Sequence, residues 1–333
     1  MLNVIKVSRR IYDEALIYLQ VYFTGLVFTF TYNMISSVFR ALGDSKTPLV
    51  FLAVSSVLNV ILDLYFVLSL SMGVFGVAVA TVISQGISFV LQIVLLLKRM
   101  KHLSANDSGV REKDFAKKVL MSLARLAVPS TLQEMTIGIN IFITQAFINT
   151  FGPNASTAYT ACGKIENFAM MPMISMMIAA TVFIAQNTGA KQYERAYTGF
   201  KWALAINSII AFIIAVIIFA APRQLMYIFL AKDTAREVFT IGSDYLVAMM
   251  IYVFFMGVLF AGDAPLKGSG DVKVMVWFAA ASTITKIAAS YIGIQFWGVN
   301  GIFFGGVCSW LVEMRCVMAR VLSGKGRKRA REN

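Results

Sequence analysis

Nine apolar stretches, each about 20 residues or longer, limit what this chain can fold into more than any other feature of it. They run roughly over 11–38, 48–70, 73–98, 121–151, 157–187, 200–220, 238–261, 274–295 and 299–322. A helix rises about 1.5 Å per residue, so about 20 residues cross the hydrocarbon core of a bilayer. Peptide groups find no water there, and segments of this length satisfy them as helices. Composition agrees: 58% of residues are hydrophobic and 14% charged, where a soluble domain carries roughly 25% charge. The expected fold class is all-α, a polytopic membrane helix bundle with nine transmembrane helices.

The formal charge of +13 sits in the gaps between apolar stretches and at the C-terminus. That distribution belongs to membrane topology, with Lys and Arg on the cytoplasmic side, and not to nucleic-acid binding. One set of loops holds Arg40 and Lys46, then Lys98 to Lys118, Lys191 to Lys201, Lys267 and Lys273, and the tail through Arg331. The alternate set, 71–73, 152–156 and Trp297-Gly298, is nearly bare; its exception is 222–237. A cytoplasmic C-terminus follows, in the cell membrane. Nine crossings then put the N-terminus outside, although Lys6, Arg9 and Arg10 are the wrong charge for an outer end. Residues 1–10 lack the apolar core of a signal peptide. Three further helices are expected upstream.

An internal repeat points the same way. Tyr18-Leu19 recurs as Tyr245-Leu246, Arg40 as Lys267 and Gly43-Asp44 as Gly270-Asp271, each 227 residues on. After a two-residue slip, Gly73-Val74-Phe75-Gly76 recurs as Gly298-Val299-Asn300-Gly301. The first three stretches therefore match the last three. The expectation is two pseudo-symmetric lobes in a parallel repeat about the membrane normal, the first lobe incomplete. Its divisions are a partial first lobe at 1–98, a cytoplasmic linker at 99–118, a second lobe at 119–323 and a basic tail at 324–333.

Polar residues inside apolar stretches mark the candidate site. Asn59 and Asp63 are four apart and share one helix face. Thr81 and Tyr18 lie at a similar depth of about 10 Å on neighbouring helices. A carboxylate there can exchange H⁺ or hold Na⁺ with Asn59 and Thr81 as neutral ligands; it can also be a structural clamp. Asn33 and Ser36, on one face, either line a polar cavity or hydrogen-bond between helices. Glu134 follows Pro129 by five residues; it either attracts a cationic substrate or pairs with Lys164 or Lys286. Lys164 and Glu166 lie near the outer end of the fifth stretch. Lys286 falls where Asn59 does in the first repeat, and Ser290 where Asp63 does. Met170, Met171, Met173, Met176 and Met177 form either a pliable ligand surface or packing. Cys162, Cys308 and Cys316 make no disulfide or zinc pattern, and His102, the only histidine, sits alone in the linker.

Arg40-Ala41-Leu42-Gly43-Asp44-Ser45-Lys46-Thr47-Pro48, then Leu58-Asn59-x-x-Leu62-Asp63, then Met72-Gly73-Val74-x-Gly76-Val77-Ala78-x-Ala80-Thr81 closely resemble the multidrug and toxic compound extrusion (MATE) antiporters. Pro129, Gln186-Asn187-x-Gly189-Ala190 and Lys267-x-x-Gly270-Asp271 resemble that family's second-lobe signatures. The resemblance implies the family's fourth through twelfth helices and export of cationic, amphipathic drugs in exchange for H⁺ or Na⁺ by two rocking lobes. It makes Asp63, Asn59 and Thr81 the ion-coupling residues, and Tyr18, Asn33, Ser36 and Glu134 the substrate-binding ones. At the position of some members' second-lobe acid it finds Met256. A monomer in contact with lipid is expected, with small organic cations as its partners, no nucleic acid and no cofactor beyond the coupling ion. A lipid-linked precursor flippase on a related plan is the alternative, as is an inactive fragment. A membrane enzyme is disfavoured because Asp44 and Asp271 stand singly instead of clustering around a divalent ion.

Overall fold

In the computed structural model, residues 9–104, 113–231 and 234–324 are described. All nine apolar stretches are helices: α1 (Arg9–Ala41), α2 (Lys46–Leu64), α3 (Gly73–Ser104), α4 (Lys113–Asn149), α5 (Pro153–Gly189), α6 (Tyr193–Ala220), α8 (Arg236–Gly268), α9 (Lys273–Trp297) and α10 (Val299–Leu322). The loop before α8 holds a short helix, α7 (Pro222–Tyr227), opened by a proline whose fixed φ suits a first turn. Among the described residues, eight helices are both long and apolar enough to cross a membrane, against the nine expected. The ninth, α1, has the length, but Thr24, Thr29, Thr31, Tyr32 and Asn33 dilute its apolarity. Several of these groups are satisfied within the helix: Thr24 donates to the Val21 carbonyl at 2.6 Å and Thr31 to Val27 at 2.7 Å.

The polar stretch expected to be a linker is helical at both ends, because α3 continues to Ser104 and α4 begins at Lys113. Residues 105–109, the His102 side chain and the tail beyond Gly324 lie outside the described residues.

The chain forms two compact units, Met1–Glu112 and Lys113–Asn333. In the first, α3 lies between α1 and α2 and packs on both. In the second, α8 packs on α5, α6 and α10, while α9 packs on α10 and α4. Buried Leu246, Met249 and Met256 of α8 join Cys162 and Ile165 of α5 and Ile302 of α10 in its largest apolar core.

The repeat is visible in bonding detail. After α1, Gly43 turns left-handed (φ +82°), its N–H donates to Arg40 and the Asp44 N–H to Phe39. After α8, Gly270 (φ +77°) donates to Lys267 and Asp271 to Leu266. Both are the glycine stop that satisfies orphan carbonyls at a helix end. Between the second and third helices of each triplet, Ser55 donates to the Ser84 carbonyl at 3.3 Å and Ser282 to the Ser309 carbonyl at 3.3 Å. These helices cross closely at Gly76 in one unit and at Gly293 with Gly301 in the other. A Cβ on Gly76 would lie 3.0 Å from the Phe66 Cβ, and one on Gly293 2.8 Å from the Gly301 Cα.

Candidate functional site

In the first unit, α2 and α3 bring Asn59 and Thr81 together. The Asn59 Nδ2 donates to the Thr81 Oγ1 at 3.4 Å, and the Thr81 hydroxyl donates to the Val77 carbonyl at 2.9 Å. Thr81 thus spends its proton on its own helix and turns a lone pair toward Asn59. One turn along α2, the half-buried Asp63 places its Oδ1 out of solvent with no hydrogen-bond partner. The helix then widens into a π turn over Tyr65–Ser69, a distortion common at functional sites. A desolvated carboxylate oxygen without a donor is a site for a cation, because leaving such a group unmatched is costly.

The remaining first-unit candidates sit elsewhere. Tyr18 stacks on Tyr22 of its own helix with ring centroids 6.0 Å apart. Asn33 is exposed and donates to the Thr29 carbonyl at 2.9 Å. Ser36 is buried and bound to Gln92 of α3, whose Nε2 donates to its hydroxyl at 3.0 Å. Seven residues earlier on each helix, Thr29 donates to Gln85. Ser36 is therefore part of one of two Ser/Thr–Gln clamps joining α1 to α3. Sequence reading passed over Gln85 and Gln92; their seven-residue spacing in an apolar helix was the available signal.

In the second unit, Glu134 is exposed on α4. Among the described residues it forms no ion pair with Lys164 or Lys286, and the Lys164 ammonium lies 5.6 Å over the Phe229 ring. Asp263 went unnoticed in the sequence. It is 5% exposed, 3.9 Å from the Lys267 ammonium through Oδ2, and buried without a hydrogen bond at Oδ1. It stands 227 residues after Ser36, so the repeat offset pointed to it. Met256 is fully buried in the apolar core. Nearer the other end of α8, Tyr245 donates to Glu166 of α5, and Tyr252 donates to the Tyr245 hydroxyl at 3.2 Å. Among the described residues, no group of three or more His, Cys, Asp or Glu could hold a metal ion.

Membrane-length helices in two units, repeated helix triplets and carboxylates within apolar helices define a polytopic α-helical membrane protein. The MatE family model matches residues 129–292, and that of the lipid II flippase MurJ matches residues 14–160. The chain is 29% identical to the probable multidrug resistance protein YoeA of Bacillus subtilis over 81% of this chain and 57% of that protein. It is 29% identical to YpnP of the same organism, another probable multidrug resistance protein, over 93% of this chain and 68% of that one. Among solved structures, the Vibrio cholerae MATE transporter VcmN superposes with a TM-score of 0.85 at 20% identity, covering 100% of this chain and 73% of that one. A Pyrococcus furiosus transporter of the MOP superfamily superposes at 0.82 and 21% identity, covering 95% and 69%. The chain is thus similar to the multidrug and toxic compound extrusion family, by the family model over residues 129–292 and by relatives along most of its length.

Proposed function

We propose that this protein exports cationic, amphipathic compounds across the cell membrane in exchange for H⁺ or Na⁺. The observation that carries the reading is the Asp63 Oδ1, buried and unpartnered on the helix face that presents Asn59 to Thr81. Binding a cation there stabilises whichever state of the transporter buries the carboxylate, and release favours the other, which is the coupling that alternating access requires. The names of YoeA and YpnP support a multidrug substrate range. The alternating loop charge supports a cytoplasmic C-terminus, and the protein acts as a monomer in contact with lipid.

The test is drug export by cells and by vesicles carrying the full chain and its Asp63→Asn variant. Ion-coupled export falls to background in the variant while the amount of protein in the membrane stays the same. Undiminished export with undiminished H⁺ or Na⁺ release would sink the proposal.

The MurJ match favours a second reading, lipid-linked precursor translocation. A pyrophosphate carrier needs cations along its path. From residue 47 to residue 97, however, α2 and α3 contain no Lys or Arg. Translocation of a fluorescent lipid-pyrophosphate in vesicles, without drug export, would reverse the preference.

A further inference from the structure

Lys267, in the last turn of α8, holds its ammonium between two groups of different chemistry. The Asp263 Oδ2, one turn back on the same helix, lies 3.9 Å from it, and the Met177 sulfur of α5 also lies 3.9 Å away. The first contact is charge attraction beyond hydrogen-bond length; the second is to a soft, polarizable surface. Just past this point α5 and α8 nearly touch, since a Cβ added to Gly268 would lie 3.0 Å from the Thr181 carbonyl. The backbone around the three groups is thus fixed, while the partly exposed, four-carbon stem of Lys267 can turn outward.

The carboxylate has no structural partner that explains it. An Asp–Lys pair four residues apart is ordinary on a solvent-facing helix, but Asp263 is 5% exposed and its Oδ1 is buried without a hydrogen bond. The repeat shows what is missing. Asp263 stands where Ser36 does in the first unit, and Ser36 is held by Gln92 of α3 at 3.0 Å. At the offset that relates Gly76 to Gly301 and Ser84 to Ser309, Gln92 is matched by Val317, which is buried and offers no donor. The second unit has therefore gained a charge and lost the side chain that would have satisfied it, a costly exchange for packing alone.

We propose that Asp263 and Met177 form a binding site for the positively charged group of an organic cation, which the Lys267 ammonium occupies between substrates as a displaceable counter-ion. A bound cation replaces the ammonium at Oδ2 and gives Oδ1 the charge it lacks, while Lys267 swings toward the aqueous end of α8. Met176 and Met177, partly buried on α5, repack around the apolar body of the ligand. The inference rests on the cationic-substrate reading above and names where the charge is recognised.

The test is equilibrium dialysis of radiolabelled tetraphenylphosphonium against the purified full chain in detergent micelles, with triphenylphosphine oxide as the uncharged control. Asp263→Asn weakens phosphonium binding at least about tenfold, as expected when one member of a desolvated charge pair is removed. Lys267→Gln tightens it about two- to fivefold, since a loosely held competitor is gone. In the double variant that gain disappears, because no carboxylate is left to uncover, and the oxide binds every form alike. Opposite signs in the single variants support the site; a purely structural pair would move both the same way or neither. A gain from Lys267→Gln that persists without Asp263 would be general repulsion of cations and would overturn the proposal. Equal weakening of the oxide in Asp263→Asn would be damage to the fold and would overturn it too. Undiminished phosphonium binding in Asp263→Asn would overturn the site and leave the cationic-substrate reading intact, whereas no binding by the unmodified chain removes both. Where Asp263→Asn fails to fold, Lys267→Gln is set against Lys191→Gln, which removes an exposed charge from the loop between α5 and α6. Tighter binding in the former alone supports the site; equal changes, or none in Lys267→Gln, overturn it.

Discussion

Replacing Arg320 by Gln should destabilise the second unit by clearly more than Arg99→Gln destabilises the first, although the two arginines serve the same loop of the repeat. Arg320 holds Asp271 through Nε and a terminal nitrogen, both at 2.8 Å, and the Asp271 side chain is 0% exposed. Arg99 holds Asp44 at 2.8 Å with side-chain exposures of 46% and 16%. Removing one partner of a buried pair costs about 3–5 kcal/mol, because the other charge stays in a low-dielectric site. Arg320 itself is 21% exposed, so water enters when it is removed and the lower end, about 3 kcal/mol, applies. The exposed pair is worth below about 1 kcal/mol. Arg99 also lies 5.6 Å over the Phe39 ring, which adds about 0.5–1 kcal/mol.

The expected gap between the two variants is therefore at least about 1 kcal/mol. Denaturant unfolding in mixed micelles measures both losses, and Arg320→Lys provides a control that keeps the charge but not the two-pronged geometry. Equal losses, or a larger one for Arg99→Gln, would refute the premise that burial of the acid sets the energy of these pairs.

The Asp44 carboxyl is held below the usual carboxylate range, first by the Thr47 N–H, then by the Thr47 hydroxyl, with Arg99 contributing less. Its contribution is complete above the ordinary value of 3.8 and is lost as pH falls through the depressed one. Asp44→Asn should flatten the acid limb of a stability-against-pH curve and leave the neutral region nearly unchanged in shape. Ser36→Ala and Gln92→Leu, measured singly and together, should show a coupling of about 0.5–1.5 kcal/mol in a double-mutant cycle; purely additive losses would contradict the clamp. Gly293→Ala should cost about 1–3 kcal/mol by pushing α9 from α10. Gly138→Ala, where no atom lies within 4 Å of the added carbon, should cost nothing measurable by the same unfolding assay.

The helices were legible because long apolar runs admit few alternatives at membrane depth, and even α1, diluted by threonines, still reads as one segment. The turns were legible as well, since Gly43 and Gly270 stand where a left-handed residue ends a helix. Spatial pairings were less so. Asn59 and Thr81 could be placed together because their helices are consecutive and their depths match. Glu166 and Tyr245 lie 79 residues apart on helices that are not sequence neighbours, and no periodicity encodes that meeting. Asp263 was missed for a different reason: comparing conspicuous motifs between the repeats never tested what stands opposite Ser36. The π turn after Asp63 has no residue signature, since Tyr65, Phe66 and Val67 suit an ordinary helix equally well.

The repeat also separates what sterics fix from what chemistry can vary. Positions where helices nearly touch keep small residues in both copies, as with Ser55 and Ser282, Ser84 and Ser309, and Gly76 and Gly301. A larger side chain there displaces a whole helix, as at Gly301, where an added Cβ would run into the Gly293 backbone. Other polar positions have diverged in charge, Ser36 to Asp263 and Asn59 to Lys286. Each exchange changes what the local dielectric must accommodate: Asp263 is met by Lys267 of its own helix at 3.9 Å, while a carboxylate from beyond the triplet, Glu166 of α5, accepts the Tyr245 hydroxyl of α8. A scaffold duplicated with its packing intact can therefore carry two different electrostatic sites. The additional helices of the larger unit are what permit the second, because they supply charges that three helices alone do not.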